Sequence, residues 1–180
     1  MKTLALDLST SSTGWAIFED RKLMDHGTFR PIFKGITTLK YPEKQFRKIE
    51  SLSAQIRDLI TAQNPDKIVI EEVNRGINRI GQKSLDALHF MVIDRIMVID
   101  DTLIKRIKYT DSNGRVGWRG KLGLTIAKKY PKIKGRSAKW KKVAEEFVNK
   151  KFNKKFDVIK NKTQADEVDA ICVGWASLNA

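Results

Sequence analysis

Cysteine is nearly absent. The 180-residue chain has one, Cys172, so no internal disulfide can form, and its place in the run Ala170-Ile171-Cys172-Val173 reads as a small buried hydrophobe. No apolar run reaches the ~18 residues of a membrane-spanning helix. The opening Met1-Lys2-Thr3-Leu4-Ala5-Leu6-Asp7 is too short for a signal peptide and is broken by an acid, so the expectation is a soluble, cytoplasmic protein. Motif chemistry is missing too: there is no His-Glu-x-x-His, no zinc-type Cys/His spacing and no Walker glycine loop. The two histidines, His26 and His89, lack metal-ligand spacing and read as core or surface residues. There is no internal repeat and no sign of a second domain, so residues 1–180 are expected to form one domain.

What is abundant is positive charge, unevenly placed. The formal net charge is +14. Residues 1–104 hold 15 Lys and Arg against 14 Asp and Glu; residues 105–162 hold 20 against 4; residues 163–180 hold three acids and no base. A near-neutral body, a basic middle and an acidic end are therefore separate features. Clustered Lys and Arg bind a polyanion through phosphate contacts and counterion release, which points to nucleic acid. A solvated face is the plainer alternative. Tyr109, Trp118, Tyr130 and Trp140 lie within the basic stretch, where aromatics can stack on unpaired bases or serve as core.

The apolar pattern predicts an α/β chain. Residues 2–8 read as a buried strand, 9–14 as a turn, 15–18 as a second strand and 22–29 as a third, giving an antiparallel meander. Phe46, Ile49, Leu52, Ile56, Leu59 and Ile60 recur at helical spacing over residues 43–63. Residues 67–71 are a β-branched strand ending in acid, so a parallel crossover is expected. A helix over residues 82–101, a fifth strand over 104–109 and a loop over 111–123 follow. A helix over 137–151, a Lys/Asn-rich linker over 152–162 and a last helix over 164–178, N-capped by Thr163, complete the chain.

Four positions carry the chemistry. Asp7 interrupts an apolar strand, where a charge must be paired, hydrogen-bonded or metal-bound; the Ser/Thr turn after it is one such partner. Glu71 and Glu72 end the β-branched strand and point to opposite faces, so only one can share a site with Asp7, and the pattern leaves open which. Asp166 and Asp169 lie on one face at the start of the last helix. Asp166 also suits the helix dipole alone, whereas Asp169 enters an apolar run. Together these acids can converge on a divalent-ion site for Mg²⁺ or Mn²⁺, with two ions about 3.5–4 Å apart activating a water and stabilising the leaving oxygen.

These residues resemble a known family. Leu4-Ala5-Leu6-Asp7-Leu8-Ser9 with Thr13-Gly14-Trp15-Ala16 is similar to the opening of RuvC-type Holliday junction resolvases. Val69-Ile70-Glu71-Glu72-Val73 is similar to the family strand ending in the catalytic Glu, and Ala165-Asp166-Glu167-Val168-Asp169-Ala170 to its last helix. The resemblance implies a ribonuclease H-like fold with a mixed five-stranded sheet flanked by helices. It implies a Mg²⁺-dependent endonuclease cutting four-way junctions, with Asp7, Glu71, Asp166 and Asp169 as metal ligands. Glu71 is preferred over Glu72 because it directly follows the apolar strand core. It further implies a homodimer, for which the helix over residues 82–101 is the natural interface.

The segment after Glu71 departs from the family, carrying Arg75 and Arg79 instead of an aromatic. Arg75, Arg79, Arg115, Arg119, Lys121, Lys139, Lys141 and Lys142 are the candidate DNA contacts. The expectation is a diverged, phage-type member working in host cytoplasm, with relaxed choice among branched DNAs, forks included. Two other readings stand beside it. Residues 7–14 resemble the first phosphate loop of actin-like ATPases and sugar kinases, which need a second lobe that 180 residues cannot supply. A non-catalytic nucleic-acid-binding protein on the same fold would use only the basic stretch.

Overall fold

The computed structural model describes residues 1–35, 37–72, 79–126 and 130–179. One five-stranded sheet organises them, in the order β3-β2-β1-β4-β5. β1 (Lys2–Asp7), β2 (Thr13–Glu19) and β3 (Lys22–Phe29) form the expected antiparallel meander. The β2–β3 hairpin turns on Asp20 and Arg21, both at positive φ, which suits the twist of a two-residue connection. β4 (Lys67–Glu71) returns parallel to β1 after helix α1 (Glu43–Gln63), and β5 (Ile107–Thr110) pairs parallel with β4.

Both sheet faces are covered. Leu4, Leu6, Leu8, Ile17, Ile68 and Ile70 pack against α1 and α2 (Arg79–Ile99). Ala5, Ala16, Phe18 and Val69 face the other way, against α3 (Trp118–Lys121), α4 (Arg136–Phe152) and α5 (Gln164–Leu178). No described helix is long and apolar enough to cross a membrane.

Several boundaries differ from expectation for local reasons. The fifth strand starts at Ile107 rather than residue 104, because a 3₁₀ turn, Asp101–Arg106, precedes it; the Asp100 side chain caps that turn by accepting from the Thr102 amide. The helix expected over 82–101 runs Arg79–Ile99. The stretch 111–123 contains the short α3 instead of being all loop. Thr163 does not cap α5 through its side chain; its hydroxyl donates to Asn161 Oδ1. The linker over 152–162 is pinned rather than slack. Asn149 brackets Phe156 by two hydrogen bonds, Glu145 accepts from the Val158 amide, and Gln164 accepts from the Asp157 amide.

Candidate active site

β1 and β4 are in register, with Leu6 opposite Ile70, so the next residues, Asp7 and Glu71, lie side by side at the carboxyl ends of two interior strands. Pleating decides their face. Asp7 shares parity with Ala5, and Glu71 with Val69; both of those pack under α5. Glu72 has the other parity, and its charge acts on Tyr109 instead. The choice between the two glutamates thus depends on strand register, which no local pattern contains.

α5 brings the other two acids. Its seat is made by small residues. Gly14 pairs with Asp7 across β1–β2, and a Cβ at Gly14 would stand 1.8 Å from the Asp166 carbonyl oxygen. At the far end of the helix, a Cβ at Gly174 would stand 2.4 Å from the Phe18 ring. At Gly14, with no side chain in the way, the first turn of the helix rests on β2, and the short Asp166 and Asp169 side chains reach the ends of β1 and β4. Glu167, between them, pairs with His26 Nδ1 of β3, and His26 lies edge-on to Phe156. This ties the first turn of α5 to the sheet.

The four carboxylates act on one another. Burial, then Glu71, Asp169 and Asp166, raise the Asp7 carboxyl well above its ordinary range. Burial, then Glu71, push Asp169 up to about 7. Burial raises Glu71 and Asp166 as well. Two cations oppose this. Arg119 of α3 lowers Glu71 and Asp169, and Lys141 of α4 lowers Asp7 and Asp169 and stands 3.8 Å from Asp166. Arg119 lies over Trp118 at 4.8 Å and Trp140 at 5.1 Å, and donates to Asn113 Oδ1. The guanidinium is therefore held in place before any ligand arrives. The Trp118 and Ser112 side chains also favour the ionised form of Glu71. The Trp118 N–H is buried without a partner at full hydrogen-bond geometry, so that effect is exerted at longer range.

Among the described residues, no three Asp, Glu, His or Cys side chains are closed into a ready metal cage. The donor set nonetheless suits a hard divalent cation: all its donors are carboxylate oxygens, buried together with more negative charge than Arg119 and Lys141 offset.

The remaining candidates divide. Lys139 is half-buried on α4, and Arg115, Lys121 and Arg79 are exposed. Lys142 is engaged internally with Glu145. Arg75 lies outside the described residues. Trp118 is core, 1% exposed, and cannot stack on a base. Tyr109 is half-exposed and stacks on His89, which is buried away from the acids. Cys172 is buried, as expected.

No family model and no curated protein sequence matches the chain. Solved structures do. The chain is similar to Thermus thermophilus RuvC in complex with a Holliday junction substrate, with a TM-score of 0.66 over 99% of this chain and 93% of that one, at 10% identity. The fold is RuvC-like. Another similar structure is that of the yeast mitochondrial Holliday junction resolvase Ydc2, with a TM-score of 0.52 over 98% of this chain and 79% of that one, at 14% identity. At such identities the likeness is one of backbone, which explains why sequence comparison is silent. The RuvC-like fold also accounts for the mixed sheet.

Proposed function

We propose that the chain is a divalent-metal-dependent endonuclease that resolves four-way DNA junctions and cuts other branched DNA. The observation that carries this reading is the set of four mutually interacting carboxylates from β1, β4 and α5 on one sheet face, flanked by the cations of α3 and α4. The RuvC-like fold, seen in a RuvC–junction complex, supports the same substrate.

Asp7, Glu71, Asp166 and Asp169 would hold Mg²⁺ or Mn²⁺, two ions per site. Bound ions supply an activated water and neutralise charge at the scissile phosphate. Arg119 and Lys141 then face that phosphate from the rim. Arg115, Lys121, Lys139 and Arg79 hold the backbone further out. Without such cations the acids would repel the substrate.

Cutting a junction on both sides takes two sites, hence a homodimer. The outward stripe of α2 favours it as the interface: Phe90 is 76% exposed and Val98 74%, with Ile80 and Met97 alongside. Phe90→Glu is expected to leave a monomer by light scattering. The same reading puts the work in the cytoplasm, that of the host for a phage protein.

The test is cleavage of a synthetic four-way junction beside a linear duplex, in Mg²⁺ or EDTA. The expected result is paired nicks on the junction, lost in EDTA and reduced by at least ~10³-fold in Asp7→Asn, with binding retained. Binding without nicks under any divalent metal would favour a non-catalytic DNA-binding protein. Neither binding nor nicks would remove the reading altogether.

A further inference from the structure

A cavity of about 400 Å³ opens beside the acids, between the end of β3, α1 and the connection into α5. Arg30, Lys48 and Lys162 line it, with Ser11, Ser12 and Asp166. The three cations come from distant parts of the chain. Two of them, Arg30 and Lys48, lie outside the basic stretch of residues 105–162. Other surface cations find acids: Arg47 pairs with Glu50, Arg57 with Asp58 and Lys160 with Asp157. Among the described residues, the side chains of Arg30, Lys48 and Lys162 have neither an ion pair nor a hydrogen bond. Three unpaired cations around one space repel one another, and an anion relieves that repulsion. The Ser12 hydroxyl lies buried at the same cavity and favours the ionised Asp166 carboxylate without closing a hydrogen bond to it.

We infer that this cavity is a phosphodiester-binding subsite that seats the backbone phosphate next to the scissile one on the cleaved strand. The inference rests on the proposed endonuclease reading. Its position follows from Asp166, which belongs both to the cavity wall and to the acid cluster. On the cluster side Asp166 meets Lys141; on the cavity side it meets the field of Arg30. An anion in the cavity therefore sits one step along from a phosphate at the acids. Asp166 itself repels that anion, and three cations outweigh it. Contacts of this kind carry no base information, so the subsite fixes which phosphate is presented without fixing a sequence.

The experiment measures affinity of the full chain carrying Asp7→Asn for a four-way junction, by fluorescence anisotropy across a salt series. Junctions carry a single uncharged methylphosphonate at each phosphate near the cut. Arg30→Ala/Lys48→Ala/Lys162→Ala is compared with an equal charge loss at the remote cavity near Trp175, Lys22→Ala/Lys151→Ala/Lys154→Ala. The expected loss is at least ~10-fold for the first triple variant, with a salt slope flattened by about one per lost contact, and little change for the second. One methylphosphonate next to the cut should cost the parent about 10-fold and cost the first variant nothing further.

Equal losses in the two variants overturn the inference, as does a methylphosphonate penalty that persists in the first. A scan in which no flanking phosphate matters to the parent overturns it without relying on any cavity variant. If the unsubstituted chain cuts junctions with Mg²⁺ and these results still fail, only the subsite falls. If it neither binds nor cuts them, the endonuclease reading falls with it.

Discussion

The two faces of the sheet are built on different rules. Toward α1 and α2 the strands present Leu4, Leu6, Ile17, Ile68 and Ile70, large side chains that hold the helices at ordinary packing distance. Toward α5 they present Phe18 and the smaller Ala5, Ala16, Gly14 and Val69, and at Gly14 the helix backbone lies almost on the strand. Both faces bury apolar surface, the first with large strand side chains and the second with the apolar residues of α3, α4 and α5. The second gives up side-chain volume to bring short carboxylates together, and it accepts buried like charges that oppose folding. The chemistry is thus confined to one face, and substitutions on the other should cost stability without touching it.

The sharpest break should come from one methyl group on the thin face. Gly14→Ala puts a Cβ where the Asp166 carbonyl is, with backbone rather than flexible side chain as the neighbour. α5 must shift, and a displacement of ~1 Å at a reacting centre costs about 100-fold in rate. Leu52→Ala on α1 is the counterpart on the thick face. It leaves a cavity costing ~2–5 kcal/mol, read by urea unfolding, while cleavage per folded molecule stays within about 3-fold. If Leu52→Ala lost activity as heavily as Gly14→Ala at equal folded fraction, the division between the faces would be wrong.

The faces should also answer pH in opposite directions. Asp169 is raised to about 7 in the fold, against an unfolded value near 4. Between those values the native state holds a proton that the unfolded chain has lost, so metal-free stability falls as pH rises through the window. His89, on the α2 side, is lowered to about 4 by burial. Between about 4 and 6.5 the unfolded chain binds the proton instead, so this contribution is lost as pH falls. Thermal melts of Asp169→Asn should show a shallower first limb, the rest of it coming from Asp7, Glu71 and Asp166, which burial raises as well, and those of His89→Phe should lack the second. Asp169→Asn should raise metal-free stability at pH 8 by roughly 1–3 kcal/mol. Mg²⁺ should stabilise the parent most at alkaline pH and leave the His89 limb untouched. A Mg²⁺ effect equal at pH 5 and pH 8 would contradict the assignment of the acids.

Much of this was legible in the sequence. The β-branched run over Lys67–Glu71 and the helical spacing over Glu43–Gln63 carry their boundaries in local pattern, and the structure keeps them. The mixed sheet follows from a hairpin meander plus one crossover. What stayed hidden is non-local or too short to have a period. The facing of Glu71 depends on register with β1. The close seat of α5 depends on Gly14 meeting a helix some 150 residues later. α3 has four residues and no periodicity, yet it delivers Arg119 to the acids. The Asp100 cap that delays β5 is one side-chain hydrogen bond, invisible to an apolar pattern. The cavity cations come from three separate segments, Arg30 and Lys48 from the near-neutral body and Lys162 from the end of the basic stretch, so no single charge run could disclose their meeting.

The smallest expected effect tests how the thin face is fastened. Glu167 points away from the acids and is held by His26 on β3, in a half-buried contact beside Phe156. Neither residue touches the space between the four carboxylates, so their influence must pass through the position of the first turn of α5. His26→Ala removes the anchor without adding bulk. The expected cost is ~1 kcal/mol in stability and up to about 10-fold in cleavage, with junction affinity unchanged. His26→Gln, which can still donate to Glu167, should recover most of the loss. A stability loss with full activity would mean that Gly14 and the apolar face of α5 hold Asp166 unaided, and that the tie to β3 serves the fold alone.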